Sequence, residues 1–292
     1  MSVVLMTGAT GFLGGRLAAR LAGEHELVLV KRSASDLSRL GRLAHDLPVY
    51  DLDRDGLEAA LAAHRVEVII HAATDYGRTG DIEPVLMANL LLPARLAEAA
   101  ARAGARAFIN ADTVLPRLLS PYALAKAQLR EWLELLAPGL TVVNLALQSF
   151  YGPGQGPEAF VTRTLAGLMA GDGSLAFTPG EQLRDFVYID DVVEAFAAVL
   201  AHLDDLGPGS HAVQVGSGRA VSIRQFVALA RELTMSAVRP DFGALAYRAG
   251  EPMRCCADIG RLAAWGWRPR VELAEGLART IAHLRAEGGG AG

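Results

Sequence analysis

Short apolar runs alternate along the first half of the chain with stretches in which apolar residues recur every three or four positions. SVVLM (2–6), ELVLV (26–30), VEVII (66–70), RAFIN (106–110) and LTVVNLAL (140–147), with a short run near Val49, predict strands. FLGGRLAARLA, DGLEAALAAH, PVLMANLLLPARLAEAAARA and YALAKAQLREWLELLA predict helices between them. Pro93 falls inside the third helix and predicts a kink or break, because its ring removes a donor and crowds the preceding turn. This alternation argues for a parallel sheet covered by helices. After YGPGQGP (151–157) the rhythm becomes irregular, so a second, smaller lobe is expected from residue 148.

Composition narrows the classes of function. The chain has 292 residues, 51% of them hydrophobic, enough for a large core. A net charge of −4 offers no basic footprint for nucleic acid or an anionic membrane. No apolar run reaches membrane-spanning length. The opening MSVVLMTGATG lacks a charged leader and a long apolar region, so no signal peptide is expected, and the location expected is cytoplasmic. The two cysteines, Cys255 and Cys256, are neighbours. Their Cα atoms stand about 3.8 Å apart, below the usual disulfide range. They predict a reduced protein without a cysteine-built metal site.

The most specific local signal is VVLMTGATGFLGGRLAARL, where Gly8, Gly11 and Gly14 follow a strand and open a helix. Glycine there permits a tight turn and lets the backbone approach a pyrophosphate at the helix N-terminus. The expectation is a Rossmann-type, doubly wound α/β domain over 1–147. A mainly substrate-binding α/β lobe follows over 148–287, with segments that can return to the first domain, and then a flexible tail over 288–292.

The end of the second strand chooses between the nicotinamide cofactors, because an acidic residue there would hold a free ribose 2′-hydroxyl. VLVKRSAS instead offers Lys31, Arg32 and Ser33 to a 2′-phosphate, Arg32 with the best-matched geometry. NADP is favoured, and NAD remains open. His71, Ala72 and Ala73 end the fourth strand beside the expected cofactor cleft, His71 reading as a packing residue, since no second ligand sits at metal-site spacing.

In INADTVLPRLLSPYALAK (109–126), Ser120 and Pro121 form a helix start, and Tyr122 and Lys126 share one face of the helix. A lysine ammonium beside a phenol is expected to lower its pKa and ease proton exchange with a substrate oxygen. The same lysine could hold the nicotinamide ribose.

The glycine spacing Thr-Gly-x-x-Gly-x-x-Gly resembles the short-chain dehydrogenase/reductase family. FYGPGQGP, LRDFVYIDDVVEAF and AGEPMRCCADIGRLAAWGWRPRVELAEGLARTI resemble the tail motifs of its extended, nucleotide-sugar branch. FINADTVLPRLLSPYALAKAQL and FTPGEQLRDFVYIDDVV are most similar to CDP-abequose and CDP-paratose synthase types, which reduce a 4-keto sugar. The resemblance implies cofactor contacts at Thr10, Phe12, Leu13, Asp51, Leu52 and Asn89. It implies substrate contacts at Thr74, Asp112, Thr113, Ser149, Arg184 and Arg248, with the two arginines reaching a diphosphate. Asp190 and Asp191, at the start of the next helix, read as capping and tying residues.

One position departs from the family pattern. Anchored on Val114, the usual catalytic hydroxyl falls on Ala111, which has none. Thr113 shares a strand face with Ala111 and could take over, or Tyr122 could hold the substrate oxygen alone. Dehydratases of this family place an Asp-Glu pair after the hydroxyl. Asp112 is present, but Thr113 replaces the glutamate, which disfavours dehydration. The expected function is NADPH-dependent reduction of a nucleotide-activated keto sugar, with a nucleotide-diphosphate sugar as partner and a homodimer allowed. A nucleotide-sugar 4-epimerase with retained cofactor is the alternative, and a dinucleotide-binding protein without turnover is the third reading.

Overall fold

The computed structural model describes residues 1–289. The apolar runs form one parallel sheet: β1 (Val3–Thr7), β2 (Glu26–Lys31), β3 (Val49–Asp51), β4 (Val68–His71), β5 (Ala107–Thr113), β6 (Thr141–Leu147) and β7 (Gly209–Val215). Their spatial order is 7-6-5-4-1-2-3. The expected Rossmann-type, doubly wound sheet is therefore borne out. β4 and the inner part of β2 are buried without alternation, as strands covered on both faces must be. Leu5, Val28, Ile69 and Phe108 pack in one cluster with Leu96, Leu129 and Leu133 of the covering helices.

The strand order reverses between β1 and β4, which pair in register from Val4↔Val68 to Thr7↔His71. Ligands of such sheets bind outside the carboxyl ends of the strands at that point. Gly8 and Ala72 leave the sheet there, and β5 brings Thr113 to the same edge.

The helix containing Pro93 neither stops nor simply bends. An α-segment, Ile82–Leu86, passes through a π turn, Met87–Leu91, into a second α-segment, Leu92–Arg102. The widened turn displaces the hydrogen-bond register just before the proline, whose missing donor the resumed helix does not need in its first turn. The turn also carries Asn89 into the interior.

The chain divides into two compact units. One comprises Met1–Ala146 and Val193–Val213; the other comprises Leu147–Val192 and the chain from Gln214 on. The passage back to the first unit falls inside the helix Ile189–Ala201. The second unit holds a three-stranded sheet in which Leu183–Tyr188 is central, flanked by Ser149–Tyr151 in parallel and Ala220–Ser222 antiparallel. A parallel pair joins Ser174–Phe177 to Arg239–Phe242. The last helix, Leu273–Gly289, includes Gly288 and Gly289; the remainder of the tail expected from 288 lies outside the described residues. Among the described residues no helix is long and apolar enough to cross a membrane.

Candidate functional site

β1 delivers the chain into the glycine turn. Gly8 has φ +75°, and a Cβ there would lie 2.4 Å from the Ala73 nitrogen. A Cβ on Gly14 would lie 2.0 Å from the Gly8 oxygen, so the first helical turn can approach the strand only without a side chain. The helix Phe12–Leu21 begins at Gly11 with no side-chain cap and no acidic residue in its first turn. Its start and positive dipole end suit an anion. Thr10, Phe12 and Leu13 surround this start, with Leu13 buried. The shape and charge fit the dinucleotide expected from the sequence.

The end of β2 is more crowded with charge than expected. Lys31 Nζ pairs with Asp51 Oδ2 at 3.0 Å, and Ser33 Oγ donates to the same carboxylate at 2.8 Å. The Ser33 N–H is taken by Asp53 at 2.7 Å. Arg32 is exposed. The Leu52 N–H bonds to the Lys31 oxygen, which fixes Asp51 and Leu52 beside β2. Two of the three groups expected to meet a 2′-phosphate are thus held by a carboxylate that was itself expected among the cofactor contacts.

His71 is fully enclosed, with Nδ1 2.8 Å from Thr7 Oγ1 across the paired strands. Burial, then the Lys126 charge, push its pKa well down, so the ring is neutral. Asn89 has no exposed amide to offer a cofactor. Its Nδ2 donates to the Asp75 and Val85 oxygens at 2.7 and 2.9 Å, and its Oδ1 accepts from Thr74 Oγ1 at 2.7 Å. The amide braces the loop that follows β4.

The tyrosine and lysine stand on a helix whose start follows the sequence signal. Ser120 accepts from the Ala123 N–H at 3.1 Å, Pro121 opens the helix, and the helix runs Pro121–Leu136. Its buried stripe contains Tyr122, Ala125, Lys126, Leu129 and Leu133, so the lysine occupies a core-facing position. Lys126 Nζ donates to the Ala111 oxygen at 2.7 Å and lies 3.5 Å from Asn110 Oδ1. The Thr113 and Thr74 hydroxyls neighbour the Tyr122 phenol and act to lower its pKa. Thr113 also accepts from the Leu115 N–H at 3.2 Å.

The electrostatics correct one expectation. Lys126 does not pull the phenol pKa down; burial pushes the Tyr122 phenol well up, reinforced by Tyr76 and Asp112 and opposed by the Thr113 and Thr74 hydroxyls. Loss of water outweighs the neighbouring charge, because a phenolate needs solvation that this site withholds. The same cause pulls Lys126 down to about 8. Asp112, expected at the substrate, is almost fully enclosed and pairs with Arg130 at 2.6 Å.

Sequence reading missed two residues here. Arg130 follows Lys126 by one helical turn, and that spacing could have found it. Tyr76 packs against the Tyr122 ring with centroids 5.0 Å apart, and the Arg78 guanidinium lies 5.3 Å from the Tyr76 centroid. Tyr76 lies on an aperiodic loop that gave no signal.

In the second unit Arg184 forms an ion pair with Glu251 and donates to the Leu183 oxygen at 2.8 Å. Arg248 and Ser149 are exposed. Asp185, adjacent to Arg184, is fully buried and accepts from the Ser217, Gly218 and Ala257 N–H groups and the Ser217 hydroxyl at 2.6–3.0 Å. Asp191 accepts from the Arg270 and Val271 N–H groups at 2.9 and 3.1 Å. It therefore ties down the approach to the last helix.

The sequence profile described as the NAD dependent epimerase/dehydratase family matches residues 4–216. The chain is 28% identical to a CDP-abequose synthase of Salmonella typhimurium, covering 96% of this chain and 98% of the relative. It is 30% identical to a UDP-glucose 4-epimerase of Mycolicibacterium smegmatis, covering 96% and 98%. Among solved structures it superposes on a Thermus thermophilus UDP-glucose 4-epimerase in complex with NAD, with TM-score 0.80 and 25% identity over 97% of this chain and 99% of that one.

Proposed function

Because the chain belongs to the NAD dependent epimerase/dehydratase family and is an oxidoreductase-type enzyme, we propose that it uses NADPH to reduce the 4-keto group of a nucleoside-diphosphate deoxyhexose. The observation that carries this reading is the convergence of the Thr113 and Thr74 hydroxyls on the buried phenol of Tyr122, one turn from Lys126. Similarity to CDP-abequose synthase over 96% of the chain supports the substrate class.

When bound, the nicotinamide supplies a hydride to the carbonyl carbon. Gly8, Gly11 and Gly14 leave room for the pyrophosphate at the helix start, and Arg32 faces a 2′-phosphate. Lys126 holds a ribose hydroxyl. Tyr122, protonated across the neutral range, gives its proton to the developing alkoxide, and Thr113 donates a hydrogen bond to the same oxygen in place of the side chain Ala111 lacks. Arg184 and Arg248 bind the diphosphate of the sugar nucleotide, assisted by Ser149. Arg184 must exchange Glu251 for that anion.

A 4-epimerase is the second reading, favoured by 30% identity to the Mycolicibacterium smegmatis enzyme along nearly the whole chain. The two readings separate on stoichiometry. Incubation with a nucleoside-diphosphate 4-keto-6-deoxyhexose and NADPH should consume one equivalent of NADPH per sugar reduced. Interconversion of 4-hydroxy epimers without net cofactor oxidation would instead establish the epimerase.

The helices of the first unit leave Ile82, Leu86, Met87 and Leu91 exposed on one segment and Trp132 and Leu135 on the other. A second copy of the chain would cover these residues, and light scattering of Leu86→Glu tests the homodimer.

A further inference from the structure

Of the 28 basic residues in the chain only two are lysines, Lys31 and Lys126. Arginine stays charged in proteins, whereas lysine can lose its proton when buried. Lys126 is fully buried, so what surrounds it decides its charge.

In the helix Pro121–Leu136, Tyr122, Lys126 and Arg130 follow at four-residue intervals and rise along one face. From β5 the carboxylate of Asp112 meets this row with its side chain only 2% exposed. Its Oδ2 accepts from Arg130 Nη1 at 2.6 Å, while Oδ1 is enclosed without a hydrogen-bond partner. A carboxylate satisfied on one oxygen, where water is excluded, keeps a strong local field. The groups facing Lys126 can be named element by element. β5 presents Asp112, the Asn110 amide and the Ala111 oxygen; its own helix presents Tyr122 and Arg130; β4 presents His71, which is neutral. Asp112 is the anion among them.

We infer that Asp112 is the internal counter-ion of Lys126, its charge partly offset by Arg130, and thereby a positioning residue for the Tyr122–Lys126 pair. The functional sense of this inference rests on the reading of that pair as the proton-transferring centre. Burial acts first to lower the lysine, Asp112 opposes it, and Arg130 adds to it. The Arg130 side chain is 36% exposed, so water screens its charge while the carboxylate stays unscreened. The pair therefore acts on Lys126 mainly through Asp112. An aspartate placed here thus keeps the ammonium charged near neutral pH and leaves it free to bond the Ala111 oxygen and a ribose hydroxyl.

The two lysines make a direct test practical. The full chain is labelled with 13C at the lysine ε-carbon and titrated by NMR without cofactor or substrate, Lys31→Arg assigning the two resonances. The Lys126 midpoint should move to lower pH in Asp112→Asn, which keeps the size and can still accept from Arg130. It should move to higher pH in Arg130→Met. An unchanged or raised midpoint in Asp112→Asn overturns the inference, as do shifts in the same direction in both variants. If Asp112→Asn does not fold, Arg130→Met carries the test, and an unchanged or lowered midpoint there overturns it. The titration reads the lysine alone, so its failure leaves the proposed reaction standing. Full turnover in Tyr122→Phe would remove the reaction whatever the titration gave.

Discussion

Lys126 donates to the main-chain oxygen of Ala111 at 2.7 Å, so the residue that lacks the family's hydroxyl still anchors the lysine of the candidate centre. Two residues further along the same strand face, Thr113 carries a hydroxyl that neighbours the Tyr122 phenol. The proposed mechanism divides the work between the Ala111 backbone, which anchors Lys126, and the Thr113 hydroxyl.

This division predicts opposite outcomes for two substitutions. Thr113→Val keeps the β-branched shape and deletes the hydroxyl. It should lower single-turnover reduction by roughly tenfold or more, about the contribution of one hydrogen bond to a developing charge. Ala111→Thr should leave the rate unchanged or raise it. Stopped-flow measurement of NADPH oxidation checks both, and an unaffected rate in Thr113→Val excludes the threonine.

The proton donor and its lysine should separate kinetically. Tyr122→Phe should remove most turnover and leave NADPH affinity nearly intact, whereas Lys126→Met should impair both. With the phenol pKa raised by burial, the alkaline limb of the pH profile belongs to Lys126. The ammonium is present below about 8 and lost above it, so turnover should fall as pH rises through that value. A limb unchanged in the Asp112→Asn enzyme would assign it to another group.

Cofactor preference should respond to the carboxylate as well as to the cation. Arg32→Ala should weaken NADPH binding relative to NADH. Asp51→Asn releases Lys31 from its 3.0 Å ion pair and should strengthen NADPH selectively. Fluorescence titration of both cofactors measures the ratio, and equal affinities in the unaltered protein would remove the 2′-phosphate assignment.

In the second unit a nucleoside diphosphate should bind by itself in a salt-sensitive manner and less tightly in Arg184→Ala and Arg248→Ala. Glu251→Gln should tighten it, because the diphosphate then displaces no carboxylate from Arg184. Calorimetry decides, and equal affinity in all four proteins would place the anion elsewhere.

Asp185 should matter for stability before it matters for binding. Asp185→Ala leaves the Ser217, Gly218 and Ala257 N–H groups without their acceptor, while the Ser217 hydroxyl keeps the Arg219 oxygen, and should cost about 3 kcal/mol. Urea unfolding measures the cost, and a loss below about 1 kcal/mol would show that the loop finds other acceptors.

Local regularities in the sequence determined the architecture and the furniture of the site. Continuous apolar runs could only be strands covered on both sides, the glycines could only serve a close turn at a helix start, and Ser120 with Pro121 could only open a helix carrying Tyr122 and Lys126 together. Each of these depends on residues a few positions apart, where steric and hydrogen-bonding rules act over short range. What those groups do electrically was decided by the tertiary structure. Burial, which no spacing records, raised the phenol that Lys126 was expected to lower. Asp51 captured Lys31 from 20 residues away and Glu251 captured Arg184 from 67 residues away, and Arg130 met Asp112 across 18. Desolvation and ion pairing follow distance in space, and the chain order of these residues carries no trace of it.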